Sequence, residues 1–210
     1  MVSERHLATF KDFKQKLASK TGLQLQYEIL NSVDYLVPQL RDRVIMIGTK
    51  KGEVFSLIKK SIRKVSLKDA LKSCPPSEHF KLNLKDLEIM KNIGAGQCWN
   101  VLDPQVAFKA MGEKYRGICN DCKTSFEGKG HCPKCKSKNI RNGYGVTSYY
   151  RRLSYDKPCY TITTVSTTKA HGSLIHPEFD RGLSVRECAR VQTFPDWYKF
   201  EGNISQSKNK

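Results

Sequence analysis

Two Cys-x-x-Cys pairs constrain this chain more strongly than any other feature of its sequence. The stretch CNDCKTSFEGKGHCPKC carries Cys119, Cys122, Cys132 and Cys135, with nine residues between the pairs. Each pair can form a tight knuckle with both sulfurs directed at one centre, and two knuckles give the tetrahedral four-sulfur shell that structural zinc prefers. The spacing predicts a structural Zn²⁺ ion that holds a small zinc ribbon together at about residues 115–140.

Two alternatives remain open around this cluster. His131 stands beside the second pair and could replace one cysteine as a ligand. The surrounding lysines either solvate a surface module or contact DNA phosphates, which is the role we expect for Lys134 and Lys136. Because four protein ligands complete the shell, we predict no metal catalysis at this site.

The charge of the chain indicates its partner. A net charge of +17 and a pI near 9.6 favour a polyanion, with nucleic acid ahead of an anionic membrane. No apolar run approaches the ~20 residues of a spanning helix, and the N-terminus lacks a hydrophobic signal core. We therefore expect a soluble, cytoplasmic protein without a membrane partner, in which the cysteines are metal ligands or buried thiols rather than disulfides.

Hydrophobic periodicity predicts helix, strand, loop and strand over the first ~55 residues. Apolar residues recur at helical spacing over 7–17, and Gly22 is a stop signal. Apolar and polar residues then alternate over 23–29, and residues 44–47 form a short apolar strand ended by glycine. The loop between the two strands holds Gln39, Arg41 and Arg43. This pattern suits the edge of an α/β sheet better than a whole domain.

The rest of the chain gives weaker structural signals. Residues 59–90 are rich in lysine and predict short helices and loops, while the β-branched stretch 160–168 predicts a strand. Ser184 and Glu187 have the spacing of a capping box and predict a helix over about 185–193.

Two blocks resemble DNA (cytosine-5) methyltransferases. NSVDYLVPQLRDRVIMIG resembles the Gln-x-Arg-x-Arg motif that joins the last two strands of the catalytic domain. RGLSVRECARVQTFPDWYKFEG, residues 181–202, is similar to the family's next block, with Arg-x-Leu, Glu-x-Ala-Arg and Gln-x-Phe-Pro-Asp. The resemblance implies an α/β fold, in which the terminal strands of a Rossmann-like, S-adenosylmethionine-dependent methyltransferase sheet are joined to a mixed α+β target-recognition domain with a zinc ribbon.

The resemblance also implies three segments. Residues 1–58 correspond to the C-terminal part of the methyltransferase catalytic domain. Residues 59–180 occupy the position of the target-recognition domain. Residues 181–210 form a hinge block that leads toward a further motif, with structural roles for Arg181, Glu187 and Arg190.

The arginine motif carries the expected site. By resemblance, Arg43 contacts the carbonyl oxygen of a flipped-out cytosine, while Arg41 and Gln39 organise the active-site loop. A fixed guanidinium stabilises the negative charge that builds on the ring when a thiolate adds to C6. The alternative is that both arginines cap the loop through surface salt bridges.

Duplex DNA is the expected ligand of the recognition segment. Thr161, in a Thr-Ile pair, resembles a dipeptide common near the end of such segments, and we expect it at the DNA with Arg151 and Arg152. Tyr144, Tyr149 and Tyr150 either pack in the protein or touch bases.

Several family motifs are not found in these 210 residues. No Pro-Cys nucleophile, Glu-Asn-Val segment or glycine-rich cofactor turn precedes the arginine motif, and no Gln-x-Gly-Asn segment follows residue 202. Pro158-Cys159 lies after the motif, so Cys159 is interpreted as a half-buried strand thiol. We expect no cofactor-binding residue here, no methylation by this chain alone, and a complementary polypeptide that supplies the nucleophile and the S-adenosylmethionine site.

Three origins fit this interpretation: a split enzyme, an interrupted gene or a shortened form. The predicted function is a partial or split DNA (cytosine-5) methyltransferase that binds duplex DNA and positions a flipped cytosine, in restriction-modification. The rival is a non-enzymatic zinc-ribbon protein that binds nucleic acid. The rival explains the charge and the cysteines but leaves residues 34–48 and 181–202 unexplained.

Overall fold

The computed structural model describes residues 6–53, 55–56, 59–128, 130–143, 149–163 and 174–201. Helix α1 (Leu7–Thr21) is followed by an antiparallel hairpin of β1 (Gln24–Asn31) and β3 (Asp42–Thr49). Gly22 ends α1 in the left-handed conformation, with φ of 68°, as the sequence predicts. Between the hairpin strands lie a 3₁₀ turn (Ser32–Tyr35) and the two-residue strand β2 (Gln39–Leu40).

Strand β3 is longer than the sequence predicts. It begins at Asp42 and runs past Gly48, so Arg43 lies within the strand and not in the loop. The hairpin register explains the difference, because Gly48 pairs with Leu25 and the ladder continues beyond the glycine. A glycine therefore did not end this strand, since the partner strand supplied hydrogen bonds on both sides of it.

Helix α1 lies across one face of the hairpin, and the other face is open. Phe10 of α1 packs edge-on against Tyr27, with 4.8 Å between the ring centroids. Tyr27 pairs with Met46, so this face carries the even-numbered residues of β3, and Arg43, Ile45 and Ile47 lie on the other. None of the residues described in α1, β1 and β3 is buried. The alternation of apolar and polar residues over 23–29 predicts a strand with one buried face, and that burial is not found in this hairpin.

A second group of elements surrounds the predicted hinge block. Helix α2 (Leu67–Leu71) packs on α5 (Val185–Val191), and β4 (His79–Lys81) pairs antiparallel with β9 (Arg181–Ser184). The capping box of Ser184 and Glu187 is confirmed, while α5 ends two residues earlier than predicted. Elements from the predicted recognition segment and from the hinge block thus form one packed group. Its core contains Leu67, Leu153, Cys159, Leu174, Leu183 and Val191.

A third group forms around the cysteines. It contains α3 (Leu84–Met90), α4 (Pro104–Met111) and a three-stranded antiparallel sheet in the order β6-β5-β7. The strands are β5 (Arg116–Cys119), β6 (Ser125–Glu127) and β7 (Ile140–Asn142). Trp99 and Tyr115 are fully buried at its centre, in the same hydrophobic cluster as Cys119 and Cys132. A three-stranded sheet thus lies where the sequence predicts a small ribbon, and it packs on a hydrophobic core.

Strand β8 connects distant parts of the chain. β8 (Cys159–Tyr160) pairs in parallel with β2, so residues 159–160 lie beside the arginine motif. Of the strand predicted at 160–168, the structure describes residues 160–163, and only Tyr160 among them is in a strand. Residues 164–168 and Tyr144 lie outside the described residues. Among the helices that are described, none has the length and apolar character needed to cross a membrane.

Candidate functional site: a four-cysteine cluster and an arginine strand

The four predicted cysteines come together. Their sulfur atoms all lie within 4.8 Å of one another, and three of the Sγ–Sγ distances are 3.5–3.6 Å. A tetrahedron with Zn–S bonds of about 2.3 Å has edges of about 3.8 Å, so the sulfurs fit the shell of a zinc ion. His131 does not belong to this group among the described residues.

The two knuckles have the same backbone geometry. In each pair the residue after the second cysteine is left-handed, with φ of 59° at Lys123 and 61° at Lys136. Its amide donates to the carbonyl of the first cysteine, over 3.0 Å to Cys119 and 2.9 Å to Cys132. This turn aims both sulfurs of a pair inward, as the spacing predicts. Lys136 therefore has a backbone role, and its side chain, like that of Lys134, is exposed.

The arginine strand, which is residues 39–49 and contains β2, Arg41 and β3, exposes Arg43, whereas Arg41 is partly buried. The Arg43 side chain is exposed, and its Nη1 donates to the carbonyl of Asp42 over 2.6 Å. The Arg41 backbone amide donates to Asn31 Oδ1 over 3.3 Å. Within the part of the chain that the structure describes, neither guanidinium pairs with a carboxylate. The alternative of loop-capping salt bridges therefore finds no support here.

Gln39 lies beneath this surface. Its side chain is 1% exposed, and its Nε2 has no hydrogen-bond partner among the residues that the structure describes. A buried amide donor left unpaired costs about 1–3 kcal/mol. Other contacts of the strand must therefore offset this cost and hold Gln39 in place. Gln39 belongs to the support of the strand and does not face solvent.

Thr161 lies next to the same strand. Its hydroxyl donates to the Leu40 carbonyl over 2.6 Å. The Arg151 guanidinium carbon lies 4.0 Å from the ring centroid of the neighbouring Tyr160. The structure thus brings Thr161 and Arg151 close to the arginine motif, although they are distant from it in sequence.

Arg152 does not fit the predicted contact with DNA. Its side chain is buried, and its guanidinium pairs with Asp180. It also donates to four backbone carbonyls, those of Met90, Ile93, His176 and Phe179. A guanidinium with this many internal acceptors braces the protein interior, so we correct its role to a structural one.

Tyr149 and Tyr150, for which the sequence left packing and base contact as alternatives, both contact other parts of the protein. Tyr149 is buried and lies under the Lys114 ammonium, 4.6 Å from its ring centroid. Tyr150 donates a hydrogen bond to Asp86 over 2.9 Å. Both rings pack in the protein.

Arg181, Glu187 and Arg190, which belong to the predicted hinge block, make ion pairs and hydrogen bonds within the protein. Arg181 holds Glu187 in a two-pronged ion pair of 2.7 and 2.8 Å. Burial raises the pKa of Glu187, but the bonds from Arg181 and the Ser184 amide outweigh it and leave the pKa below its usual value. Arg190 donates to three carbonyls of the α2 end and the turn that follows, those of Ala70, Lys72 and Ser73, and pairs with Asp196.

His176 is a buried histidine that no sequence pattern indicated. Its ring is 3% exposed, and Nδ1 accepts hydrogen bonds from the amides of Glu178 and Phe179, both 3.1 Å. Burial lowers the pKa of His176 below its usual value of 6.5, although the Glu187 carboxylate opposes this shift. A lone histidine in a stretch without periodicity gave no signal of burial.

The neutral state of His176 makes stability depend on pH. Because its folded pKa is lowered, the unfolded chain takes up protons first, and the free energy of unfolding falls as the pH drops below about 6.5. Urea unfolding between pH 7.5 and 5.5 measures this loss. A His176→Gln variant is expected to flatten the slope, whereas His79→Gln, at an exposed position on β4, keeps it. Equal slopes in all three proteins would contradict this assignment.

Cys159 is more buried than predicted. The sequence indicates a half-buried thiol, but the residue is fully buried in the core beside α5. Burial raises its pKa far above the usual value of a thiol, so it stays protonated. It is no candidate for the nucleophile.

Fold and site together define a basic protein that combines a capped helix block at residues 181–191, a four-cysteine cluster on a three-stranded sheet and an exposed arginine in β3. Comparison with known proteins identifies the family. The family described as C-5 cytosine-specific DNA methylase matches residues 1–210, and the chain belongs to that family. Its members transfer methyl groups to DNA cytosines and use S-adenosylmethionine.

Individual relatives agree with this. Type II methyltransferase M.Sau96I of Staphylococcus aureus is 32% identical over 195 residues, which are 90% of this chain and 39% of that protein. Type II methyltransferase M.Eco47II of Escherichia coli is 30% identical over 188 residues, 84% of this chain and 39% of that protein. The chain thus spans about two fifths of the length of these relatives.

The chain also has a similar protein among solved structures. A crystal structure of a prophage-encoded DNA modification methyltransferase from E. coli has a TM-score of 0.47 and 18% identity. The match covers 94% of this chain and 57% of that chain.

Proposed function

We propose that this chain is the DNA-recognising and cytosine-positioning part of a Type II DNA (cytosine-5) methyltransferase. Residues 59–180 read the DNA, residues 181–210 form the hinge, and residues 1–58 complete the catalytic domain. The nucleophile and the S-adenosylmethionine site come from polypeptide outside these 210 residues, whether continuous with them or separate. The methyl mark serves restriction-modification, as the names of the relatives indicate.

One observation carries the proposal. The Gln-x-Arg-x-Arg motif of this family is present, and its second arginine is exposed on the open face of the hairpin without a carboxylate partner among the described residues. A guanidinium that no carboxylate neutralises can donate to a cytosine carbonyl and stabilise the charge that develops when a thiolate adds to the ring. A surface salt bridge would have occupied it.

A complementary polypeptide has a surface on which to dock. Phe10, Phe13 and Leu17 of α1 face Leu25, Val44 and Met46 across an open groove of about 480 Å³. A two-stranded hairpin with one helix and no buried residue is marginally stable by itself. We propose that the catalytic remainder of the enzyme covers this groove and so supplies the missing hydrophobic core.

The cysteine cluster is proposed to bind one structural Zn²⁺ ion. The hydrogen bonds that Thr124 makes to Cys122 lower the pKa of that thiol and favour the thiolate form, which binds metal. The pKa of Cys135 shifts the other way: a bond from the Ser137 backbone lowers it, but the bond to Cys122 and the other raising effects outweigh that bond. All four ligands are protein sulfurs, so the ion stabilises the ribbon and takes no part in the reaction. The exposed Lys134 and Lys136 then meet DNA phosphates beside the ribbon.

Reconstitution tests the proposed function. The chain is mixed with a polypeptide that carries the Gly-rich turn and the Pro-Cys motif, together with duplex DNA and labelled S-adenosylmethionine. We expect label on cytosine C5 only in the complete mixture. Binding of DNA without any transfer would instead favour the non-enzymatic zinc-ribbon protein.

Arg43 provides the sharper measurement in the same assay. An Arg43→Ala variant is expected to lose roughly 10²–10³-fold in kcat, because one preorganised donor to a developing charge is removed. DNA affinity is expected to change little. The matched control is Arg141→Ala, which removes one charge from an exposed strand position on β7. A large loss of DNA affinity with unchanged kcat would show that Arg43 contacts phosphate.

A further inference from the structure

The arginine strand pairs with the predicted recognition segment through a short parallel ladder between β2 and β8. Gln39 pairs with Cys159 and Leu40 with Tyr160, and the Cys159 amide donates to the Pro38 carbonyl over 2.9 Å. The Thr161 hydroxyl adds a bond of 2.6 Å to the Leu40 carbonyl across 121 residues of sequence. Two residues of strand pairing and one hydroxyl attach β2 itself. The turn before β2 is attached separately, because the Ser61 amide donates to the Asp34 carbonyl over 2.7 Å and the Asp34 carboxylate pairs with Lys60 and Lys64.

Each side of the junction is anchored separately. On the recognition side, the Cys159 side chain is fully buried in the core that includes Leu183 and Val191 of the hinge block. On the arginine side, the Ser32 amide donates to the Arg41 carbonyl over 3.0 Å, and the Ser32 hydroxyl donates to the Gln39 carbonyl over 2.5 Å. The peptide between Leu40 and Arg41 lies between these two anchors.

We propose that Thr161 is a positioning residue that sets the peptide between Leu40 and Arg41 and so holds Arg41 and Arg43 in place. This inference rests on the proposed function, since it assigns Thr161 to the cytosine-positioning site. Arg41 lies one residue beyond the carbonyl that Thr161 holds, and β3 begins with the next residue. DNA bound by the recognition segment thus orients the arginines through this hydroxyl.

The proposal differs from the role that the sequence predicts for Thr161. A residue whose hydroxyl contacts DNA leaves the arginine strand unchanged when it is replaced in the free chain. A residue whose hydroxyl holds Leu40 loosens that strand even without DNA. The free chain therefore separates the two roles.

Hydrogen exchange of the free chain is the first test. Thr161→Val keeps the shape of the side chain and removes the hydroxyl, and it is expected to speed amide exchange of Leu40 and Arg41 roughly fivefold, the effect of one ordinary hydrogen bond. Thr161→Ser is expected to restore the slow exchange. Thr21→Val is the matched control, because it removes a hydroxyl bond of 2.8 Å to the Leu17 carbonyl in α1.

Duplex DNA is the second test of the same variants. In the wild-type chain, DNA is expected to slow exchange of the peptide over residues 39–43, and Thr161→Val is expected to abolish that slowing at unchanged affinity. Wild-type exchange rates in the valine variant, or lost DNA affinity alone, would overturn the proposal. Thermal melting of each variant shows whether it is folded.

The reconstituted enzyme gives the catalytic measurement. Thr161→Val is expected to lower kcat roughly tenfold with the KM for DNA unchanged, and serine is expected to rescue it. A loss that serine cannot rescue would contradict positioning by the hydroxyl. If the wild-type mixture transfers no methyl group, the proposed function fails, while the exchange experiments still decide whether Thr161 holds the strand.

Discussion

A Cys119→Ser variant is expected to lose its metal and the folded core around Trp99. Cys119 and Cys132 are both fully buried within that core, beside Tyr115 and Phe126. Structural zinc contributes about 10–16 kcal/mol of apparent binding free energy in zinc-finger peptides, which is as large as the whole stability of a typical domain. Three sulfurs do not replace four, so the ribbon and the helices packed on it should unfold together.

Two tryptophans in contrasting environments make this measurable. Trp99 is fully buried and Trp197 is 78% exposed, so a red shift of the fluorescence reports loss of the core around Trp99. Metal analysis is expected to give about one zinc per wild-type chain and none in the variant. Cys74→Ser is the matched control, because Cys74 is a free thiol outside the cluster. A Cys119→Ser chain that keeps both its metal and its blue-shifted emission would disprove the zinc assignment.

Replacing Arg152 with methionine is expected to lower the free energy of unfolding by about 3–5 kcal/mol, because it removes one partner from a buried network of charged hydrogen bonds. Asp180 loses its ion-pair partner, and carbonyls of residues 90, 93, 176 and 179 lose a donor. These acceptors belong to α3, the turn after it and the loop before β9. The guanidinium therefore ties the third group of elements to the second.

The neighbouring arginine provides the control. Arg151 stacks on the Tyr160 ring, which is 40% exposed, and Arg151→Met is expected to cost about 1 kcal/mol or less. Urea unfolding of both variants measures the difference. Equal stabilities would show that burial of Arg152 is not what holds these elements together, and a selective loss of DNA affinity in Arg152→Met would restore the role that the sequence predicts.

This adjacent pair shows where sequence reasoning stops. Arg151 and Arg152 are identical in type and consecutive, and both were expected to contact DNA. The structure buries one side chain and places the other over an aromatic ring near the arginine strand. Nothing within a few residues distinguishes them, because the acceptors of Arg152 lie 24 to 62 positions away.

The arginine motif gives a second example. The glycine after residues 44–47 predicts the end of a strand, and the wrong strand bounds left Arg43 in a loop. Pairing with β1 extends the strand to eight residues, from Asp42 to Thr49. Hydrogen bonds from a partner strand outweigh the weak local preference of one glycine. The family that the motif indicated is nonetheless correct, because the C-5 cytosine-specific DNA methylase family matches residues 1–210.

Local signals performed better. The capping box predicted the start of α5, Gly22 predicted the end of α1, and the Cys-x-x-Cys spacing predicted the two knuckles. Each of these structures closes within about one helical turn, through side-chain or backbone bonds between residues three or four positions apart.

The sequence by itself determined the end of α1, the start of α5, the two cysteine knuckles and the family, because each depends on residue types that are close together or in a fixed order. Only the tertiary structure decided that Arg152 is buried, that Arg43 lies in a strand with an open face, and that Thr161 bonds to Leu40. These outcomes depend on contacts across as many as 121 residues of chain. Which distant segments meet depends on how the hydrophobic groups pack, and a pattern of neighbours along the chain does not contain that information.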